Sequence, residues 1–153
     1  MTRIMFVCHG NICRSPMAEF IMKDLAEKAG ISHKLYIASC ATSTEEIYMG
    51  KGNPVYPPAR RELAKHGIDC SDKTAVQLKK SDYDSYDMFL CMDENNVRNA
   101  LRILGADPKN KVSRLMDITE KKGNVADPWY SGDFTTAYND IFMGCMALLE
   151  KLR

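Results

Sequence analysis

Two side chains near the start of the chain could do chemistry together. Cys8 and Arg14 are separated by five residues, and Gly10 and Asn11 lie between them. An apolar run precedes this segment and a helical pattern opens at Ser15-Pro16, which predicts a strand, a tight loop and a helix start. Backbone N–H groups at a helix start have no partner inside the helix and carry a partial positive charge. The segment is therefore predicted to bind a phosphate-like oxyanion.

Each residue of this loop suits a distinct task in phosphoryl transfer. Gly10 and Asn11 are the residue types that most readily adopt left-handed backbone angles, which would turn successive N–H groups inward around a tetrahedral oxyanion. Arg14 can hold two oxygens with its planar guanidinium. In such a positive environment the Cys8 thiolate is favoured and is the natural nucleophile. The predicted chemistry is transfer of a phosphoryl group through a phosphocysteine.

Simpler interpretations compete with this one. A cysteine after a strand is usually a small buried apolar residue, and a Gly-Asn pair is usually a turn. Other phosphate loops fit poorly, because the segment lacks the lysine and second glycine of the P-loop and the three spaced glycines of a dinucleotide fingerprint. A nucleotide site is therefore disfavoured.

Two segments resemble a known family. Val7-Cys8-His9-Gly10-Asn11-Ile12-Cys13-Arg14-Ser15-Pro16 resembles the signature of the low-molecular-weight protein tyrosine phosphatases, and Asp127-Pro128-Trp129-Tyr130 resembles that family's general-acid loop. Ser39-Cys40-Ala41-Thr42 and Leu90-Cys91-Met92-Asp93 also look like family segments, so the resemblance spans nearly the whole chain. It implies hydrolysis of protein phosphotyrosine and small aryl phosphates, with Cys8 as nucleophile, Arg14 as clamp and Asp127 as general acid and later base.

The resemblance also implies a set of supporting and substrate-binding residues. Ser15 could donate its hydroxyl to the Cys8 sulfur, although a helix N-cap is the competing interpretation. Ser39 corresponds to the family serine that holds the loop asparagine, here Asn11. Lys73 stands where the family has a histidine in this support, and Val76 stands where it has an arginine. Substrate contacts are expected from the loop and from the rim: His9, Gly10, Asn11, Ile12, Cys13, Ser15, Trp129, Tyr130 and Glu45.

The rim residues indicate the preferred substrate. An isoleucine at the Ile12 position accompanies tyrosine rather than arginine phosphatases in the resembling family, whose deep pocket suits phosphotyrosine. Trp129 and Tyr130 can form one aromatic wall. Glu45 stands where the family usually has an aromatic residue, and Glu46 follows it, so an acidic rim is expected to favour substrates with basic flanking residues.

Composition restricts the remaining possibilities. The chain has 153 residues, 45% hydrophobic and 27% charged, and a net charge of +1. These values are typical of one globular domain, taken here as residues 1–153, and argue against nucleic-acid or membrane binding. The short start of the chain before the first strand does not resemble a signal peptide, so a cytoplasmic protein is expected. The expected partners are phosphotyrosine proteins as substrates and inorganic phosphate or other oxyanions as inhibitors.

The six cysteines are scattered and lie mostly in apolar segments, which favours free thiols over a disulfide framework. The three histidines show no ligand spacing, so no metal and no cofactor are expected. Cys13 lies five residues along the loop from Cys8 and could resolve a sulfenic acid on it, which predicts a redox-sensitive enzyme.

Two alternative functions are considered. A thioredoxin-coupled arsenate reductase on the same fold would pass oxidation from the loop cysteine to a downstream pair, but Cys70 and Cys91 are far apart in sequence. A catalytically silent phosphate-binding module is disfavoured because nucleophile, clamp and acid are all present.

The remaining pattern predicts an α/β fold. Strands are expected over residues 3–7, 35–39, 86–92 and 112–115, and helices over 17–29, 59–66, the segment from Asp93 to Gly105 and the tail from Phe134. Residues 42–58 read as a surface loop. The tail's apolar positions Phe134, Tyr138, Ile141, Phe142, Cys145, Leu148, Leu149 and Leu152 are expected to be core. Strands alternating with helices predict a single doubly wound domain with a four-stranded parallel sheet, helices on both faces and the site at the carboxyl ends of the strands.

Overall fold

The chain is described by a computed structural model that covers residues 1–153. Its strands are β1 (Thr2–Cys8), β2 (Leu35–Ala41), β3 (Ile47–Tyr48), β4 (Lys51–Gly52), β5 (Met88–Cys91) and β6 (Val112–Arg114). Its α-helices are α1 (Arg14–Lys28), α2 (Pro57–Ala64), α3 (Asp82–Ser85), α4 (Glu94–Leu104), α5 (Pro128–Ser131) and α6 (Phe134–Leu152). Short 3₁₀ turns occupy Ser32–Lys34 and Leu115–Ile118.

The main sheet has four parallel strands in the order β2-β1-β5-β6, as the α/β pattern predicts. Side chains alternate between its faces. Ile4 and Phe6 of β1 belong to the core beneath α1, α2 and α6, whereas Met5 and Val7 belong to a second core beneath α4. Helices therefore cover both faces of the sheet.

Several boundaries differ from the sequence prediction. Helix α1 begins at Arg14 rather than at residue 17, because the end of the Cys8 loop already forms its first turn. The segment 42–58 is not one surface loop, because β3 and β4 pair within it as a short antiparallel hairpin. Helix α2 begins at Pro57 rather than at residue 59, since proline suits a first helical turn whose N–H groups have no helical partner. The third predicted strand begins at Met88 rather than at residue 86. The Asp87 carboxylate, just before it, accepts a hydrogen bond from the Arg3 amide of β1 at 2.7 Å.

The tail helix packs against α1, and most of its predicted apolar positions are confirmed as core. Phe142 is the exception, since it is 38% exposed and lies on the outer side of α6. Helix α4 stops at Gly105, as expected. Asp93 caps its N-terminus by accepting a hydrogen bond from the Asn96 amide at 2.8 Å. None of the helices combines the length and apolarity needed to cross a membrane.

Candidate active site

The sheet topology places the Cys8 loop at a switch point. Strand β1 is central, and the chain proceeds from it first to β2 on one side and later to β5 on the other. Ligands of open α/β sheets bind at the carboxyl ends of the strands where the order reverses in this way. The loop after β1, the Asp93 turn after β5 and the Asp127 loop all converge there, as the contacts of Arg14 show.

The backbone of the loop faces its N–H groups toward the centre. The carbonyl oxygen of His9 accepts from the Ser43 amide at 2.9 Å, and that of Ile12 accepts from the Tyr56 amide at 2.8 Å. In a trans peptide the N–H points opposite to the C=O, so the N–H groups of Gly10 and Cys13 point away from these neighbours and toward the cavity. This is the arrangement that an oxyanion requires.

Only one of the two flexible residues takes a left-handed conformation. Asn11 has φ of 59°, whereas Gly10 does not have positive φ. Gly10 is needed for a different reason, because a Cβ at that position would lie 3.2 Å from the Glu46 Cγ. A side chain there would require the Glu46 side chain to shift by a few tenths of an ångström.

The Cys8 sulfur is surrounded by hydrogen-bond donors. Ser15 Oγ lies 2.9 Å away, the Asn11 amide 3.3 Å and the Ser15 amide 3.4 Å. The side chain is almost fully buried, at 3% exposure. Three hydrogen-bond contacts therefore converge on the sulfur near the start of α1. Helix α1 begins at Arg14 with Cys13 at the N-cap, so the alternative role of Ser15 as N-cap is wrong.

Asn11 is fixed by three hydrogen bonds beneath the loop. Its Nδ2 donates to Ser15 Oγ at 2.7 Å and to Ser39 Oγ at 2.9 Å, and its Oδ1 accepts from the Val76 amide at 3.0 Å. The Val76 contact uses the backbone, so the replacement of the family's arginine leaves this bond intact. Asn11 and Ser15 are therefore buried under the cavity, where they hold the loop rather than line the opening.

A buried ionic group continues this support. Ser39 Oγ donates to Glu19 Oε1 at 2.6 Å, and the Lys73 ammonium donates to the Ser39 carbonyl at 3.0 Å and lies 3.6 Å from Glu19. Lys23 pairs with the other Glu19 oxygen at 2.6 Å. Burial lowers the pKa of Lys73 from its ordinary value, and the Glu19 carboxylate opposes that shift. Lys73 thus takes part in the support at the position where the resembling family has a histidine.

Arg14 is 97% buried and is oriented by several acceptors. Its Nη1 donates to Asp93 Oδ2 at 2.8 Å and to the Val125 carbonyl at 2.9 Å, and its Nη2 lies 3.4 Å from Asp127 Oδ2. Burial alone would lower the pKa of Arg14, but the Cys8 sulfur and the two carboxylates raise it above its ordinary value. The guanidinium is therefore a permanent, positioned cation beside the Cys8 sulfur.

These groups share one open cavity of about 330 Å³. Its lining brings together most of the residues that the sequence singled out: Cys8, His9, Gly10, Ile12, Cys13, Arg14, Glu45, Asp127, Trp129 and Tyr130. Asp127 caps the short helix α5 by accepting from the Trp129 amide at 3.1 Å. The carboxyl group of Asp127 faces Arg14 from the opposite wall.

Both rim carboxylates have a hydrogen-bond partner. Glu45 pairs with His9 Nε2 at 3.0 Å, and Glu46 accepts from the Asn53 side chain at 2.9 Å. On the other side Trp129 packs on Tyr56 with ring centroids 4.7 Å apart, while Tyr130 is 86% exposed. The rim therefore has an acidic side and an aromatic side.

Sequence reasoning missed the role of two residues of this site. Asp93 was expected only as an N-cap, yet it also orients Arg14, a role that its place after a central strand could have indicated. Glu19 lies on an ordinary helical turn, and nothing in its sequence context shows that it is buried.

The remaining cysteines do not form a relay from Cys8. Cys70 lies in the core beneath α1, and Cys91 lies in the core on the opposite face of the sheet. All six thiols are free, and burial raises the pKa of both Cys70 and Cys91. The arsenate-reductase alternative is therefore not favoured. No group of three or more His, Cys, Asp or Glu side chains is arranged to hold a metal ion.

Comparison with known proteins agrees with this geometry. Residues 3–153 match the family model described as "Low molecular weight phosphotyrosine protein phosphatase". The chain is 34% identical to the low molecular weight protein-tyrosine-phosphatase YfkJ of Bacillus subtilis over 100% of its own length and 97% of the relative's. It is 39% identical to the low molecular weight phosphotyrosine protein phosphatase of Gallus gallus, over 97% and 94% of the two chains.

Solved structures show the same fold. The crystal structure of YfkJ superposes with a TM-score of 0.90, covering 99% of this chain and 94% of that one. The low molecular weight protein tyrosine phosphatase of Streptococcus pyogenes, 34% identical, superposes with a TM-score of 0.86 over 100% and 94%. A parallel α/β domain with a cysteine–arginine oxyanion loop is thus the scaffold of a phosphatase. The chain belongs to the low molecular weight phosphotyrosine protein phosphatase family and is an enzyme of that class.

Proposed function

We propose that this enzyme hydrolyses protein phosphotyrosine through a phosphocysteine on Cys8, with Asp127 as the general acid. The observation that carries the proposal is the arrangement of Cys8 and Arg14 in one cavity. The sulfur has three donors within 3.4 Å, and the buried guanidinium lies beside it with Asp127 at 3.4 Å. Nucleophile, oxyanion clamp and proton donor therefore surround one phosphoryl-sized space.

The first step transfers the phosphoryl group to sulfur. The Cys8 thiolate attacks phosphorus, the S–P bond forms and the bond from phosphorus to the tyrosyl oxygen breaks. The departing phenolate takes a proton from Asp127, which lowers the barrier for a poor leaving group. Arg14 and the inward N–H groups stabilise the charge on the three equatorial oxygens.

The second step restores the enzyme. Water attacks phosphorus and gives a proton to the Asp127 carboxylate, the S–P bond breaks and inorganic phosphate leaves. The Cys8 sulfur departs as a thiolate, which its three donors stabilise. Inorganic phosphate and similar oxyanions occupy the same loop and are expected to inhibit competitively.

Selectivity for tyrosine follows from the shape of the cavity. Ile12 and the exposed ring of Trp129 offer an apolar slot beside the loop, which an aryl ring fills and a seryl side chain does not reach across. At the rim, Glu45 and Glu46 add negative charge that favours a basic residue beside the phosphotyrosine. The ion pair with His9 weakens this effect when the imidazole is protonated.

The function is tested with 4-nitrophenyl phosphate and a phosphotyrosine peptide, in a chelator and without reductant. Wild type is expected to turn over both, while Cys8→Ser loses turnover but still binds vanadate or phosphate, because the loop and Arg14 survive. Arsenate-dependent thiol consumption measured in parallel separates the reductase alternative. Turnover that persists in Cys8→Ser would refute the phosphocysteine mechanism.

A further inference from the structure

A second groove adjoins the catalytic cavity and contains two arginines. It has a volume of about 510 Å³ and shares Ile12, Glu46 and Trp129 with the cavity as common walls. Beyond these shared residues, Arg60 and Arg61 of α2 line its far side. The groove is thus a continuation of the active-site opening rather than a separate pocket.

The walls of the groove are rigid. Pro54 forms an isolated bridge with Thr74, and Pro57 opens helix α2. Tyr56 is held by the hydrogen bond from its amide to the Ile12 carbonyl and by its packing against Trp129. Rigid walls bind a ligand without the entropic cost of ordering a loop.

The two guanidinium groups make no hydrogen bond and no close ion pair in the chain, although Arg60 lies near enough to Asp69 for its charge to act on that carboxylate. Neither Arg60 nor Arg61 has a carboxylate within salt-bridge distance, and neither side chain donates a hydrogen bond. Each of the other arginines has a partner, an aromatic ring for Arg3 and oxygen acceptors for the rest. In a protein with a net charge of only +1, these two neighbouring cations outnumber the single carboxylate of the groove, Glu46, and leave its far side positively charged.

We propose that this groove binds an acidic side chain of the substrate within a few residues of the phosphotyrosine. The inference rests on the proposed phosphotyrosine phosphatase function. The groove begins where the Trp129 and Ile12 walls of the cavity end, so a peptide whose phosphotyrosine enters the cavity lays a neighbouring side chain in it. A carboxylate there meets Arg60 and Arg61, the bidentate partners that suit its geometry.

The mouth of the enzyme is therefore electrostatically divided. Glu45 lines the cavity alone and favours a basic flank there, whereas Arg60 and Arg61 line the groove alone and favour an acidic flank; Glu46 is the wall between the two. A substrate with charges of opposite sign on its two flanks matches both sides. The groove thus specifies the direction in which a peptide lies across the site.

The test is a scan of phosphotyrosine peptides in which glutamate replaces glutamine at each of the three positions on either side. The wild-type ratio of kcat/KM for glutamate over glutamine is expected to rise about two- to fivefold at one or two positions on a single flank. The gain should appear mainly in KM and shrink in 0.5 M salt, because the contact is exposed. Arg60→Gln/Arg61→Gln should return the ratio to about one.

The matched control is Arg98→Gln/Arg102→Gln on α4, which removes the same charge far from the groove and should keep the wild-type ratio. A peptide with leucine at the favoured position tests an apolar occupant instead. If leucine equals glutamate, or the ratio does not depend on Arg60 and Arg61, the inference is wrong. Wild-type turnover of 4-nitrophenyl phosphate separates these outcomes from failure of the phosphatase function itself.

Discussion

Removing the Ser15 hydroxyl is expected to slow the second chemical step more than the first. Asn11 Nδ2 donates to Ser15 Oγ at 2.7 Å, so that oxygen serves as an acceptor and its single proton is free for another partner. The Cys8 sulfur at 2.9 Å is a closer acceptor than the Cys40 carbonyl at 3.4 Å. The hydroxyl proton is therefore directed to the sulfur, and Ser15→Ala deletes the shortest of its three contacts.

The magnitude follows from the charge on the sulfur. A hydrogen bond to a charged group contributes about 1.5–3 kcal/mol, which corresponds to about 10- to 150-fold in rate. In the first step the loss is partly offset, since a less stabilised thiolate is more nucleophilic. In the second step the sulfur leaves as a thiolate and the loss has no compensation. The phosphocysteine should then accumulate.

The assay is pre-steady-state release of 4-nitrophenol. Ser15→Ala is expected to show a burst followed by a slow steady state, and acid quenching should recover phosphorylated protein. Folding should suffer by only about 1 kcal/mol, because Asn11 keeps its bond to Ser39. Ser113→Ala, an exposed serine on β6, is the control. Rates within twofold of wild type and no burst would show that the hydroxyl does not act on the sulfur.

Four further outcomes are expected. Arg14→Lys should lower kcat/KM by about 10²–10³-fold, since an ammonium cannot grip two oxygens; a loss below tenfold contradicts the clamp. Asp127→Ala should slow phenyl phosphate at least tenfold more than an activated aryl phosphate, and an equal loss across a leaving-group series points to a positional role. Peroxide should inactivate wild type reversibly by oxidising the Cys8 thiolate to a sulfenic acid. The Cys13 thiol then attacks that sulfur, an S–S bond forms and the hydroxyl leaves as water; full recovery of Cys13→Ala under thiol argues against protection by Cys13. Burial raises the pKa of the Asp107 carboxyl, but hydrogen bonds from Tyr83 and two backbone amides outweigh burial and lower this pKa below its ordinary value. The carboxylate therefore stabilises the fold above about pH 4, and this stabilisation is lost as the pH falls. Urea melts should therefore show Asp107→Asn less stable than wild type at pH 7, with the gap closing below about pH 4.

The sequence by itself determined the fold class, and it was sufficient to predict the chemistry now proposed for the loop. The Cys8–Arg14 spacing, the apolar run before it and the helix signal after it are local features, and local features depend on residue order alone. Alternating strands and helices likewise predict a parallel sheet with helices on both faces, because a crossover between parallel strands is right-handed and needs a helix.

The tertiary structure alone decided which distant side chains complete the site. Glu19 and Lys73 are buried beneath Ser39, and Asp93 orients Arg14 across the sheet, yet no spacing in the sequence connects these positions. Phe142 fits the apolar stripe of α6 but is exposed. The helical period shows which residues share a face, but it does not show how much of that face the packed elements cover. The same holds for Arg60 and Arg61, which read as ordinary helix-surface charges until the fold places them beside Trp129. Contacts between residues far apart in sequence arise from packing, and packing is a property of the whole folded chain.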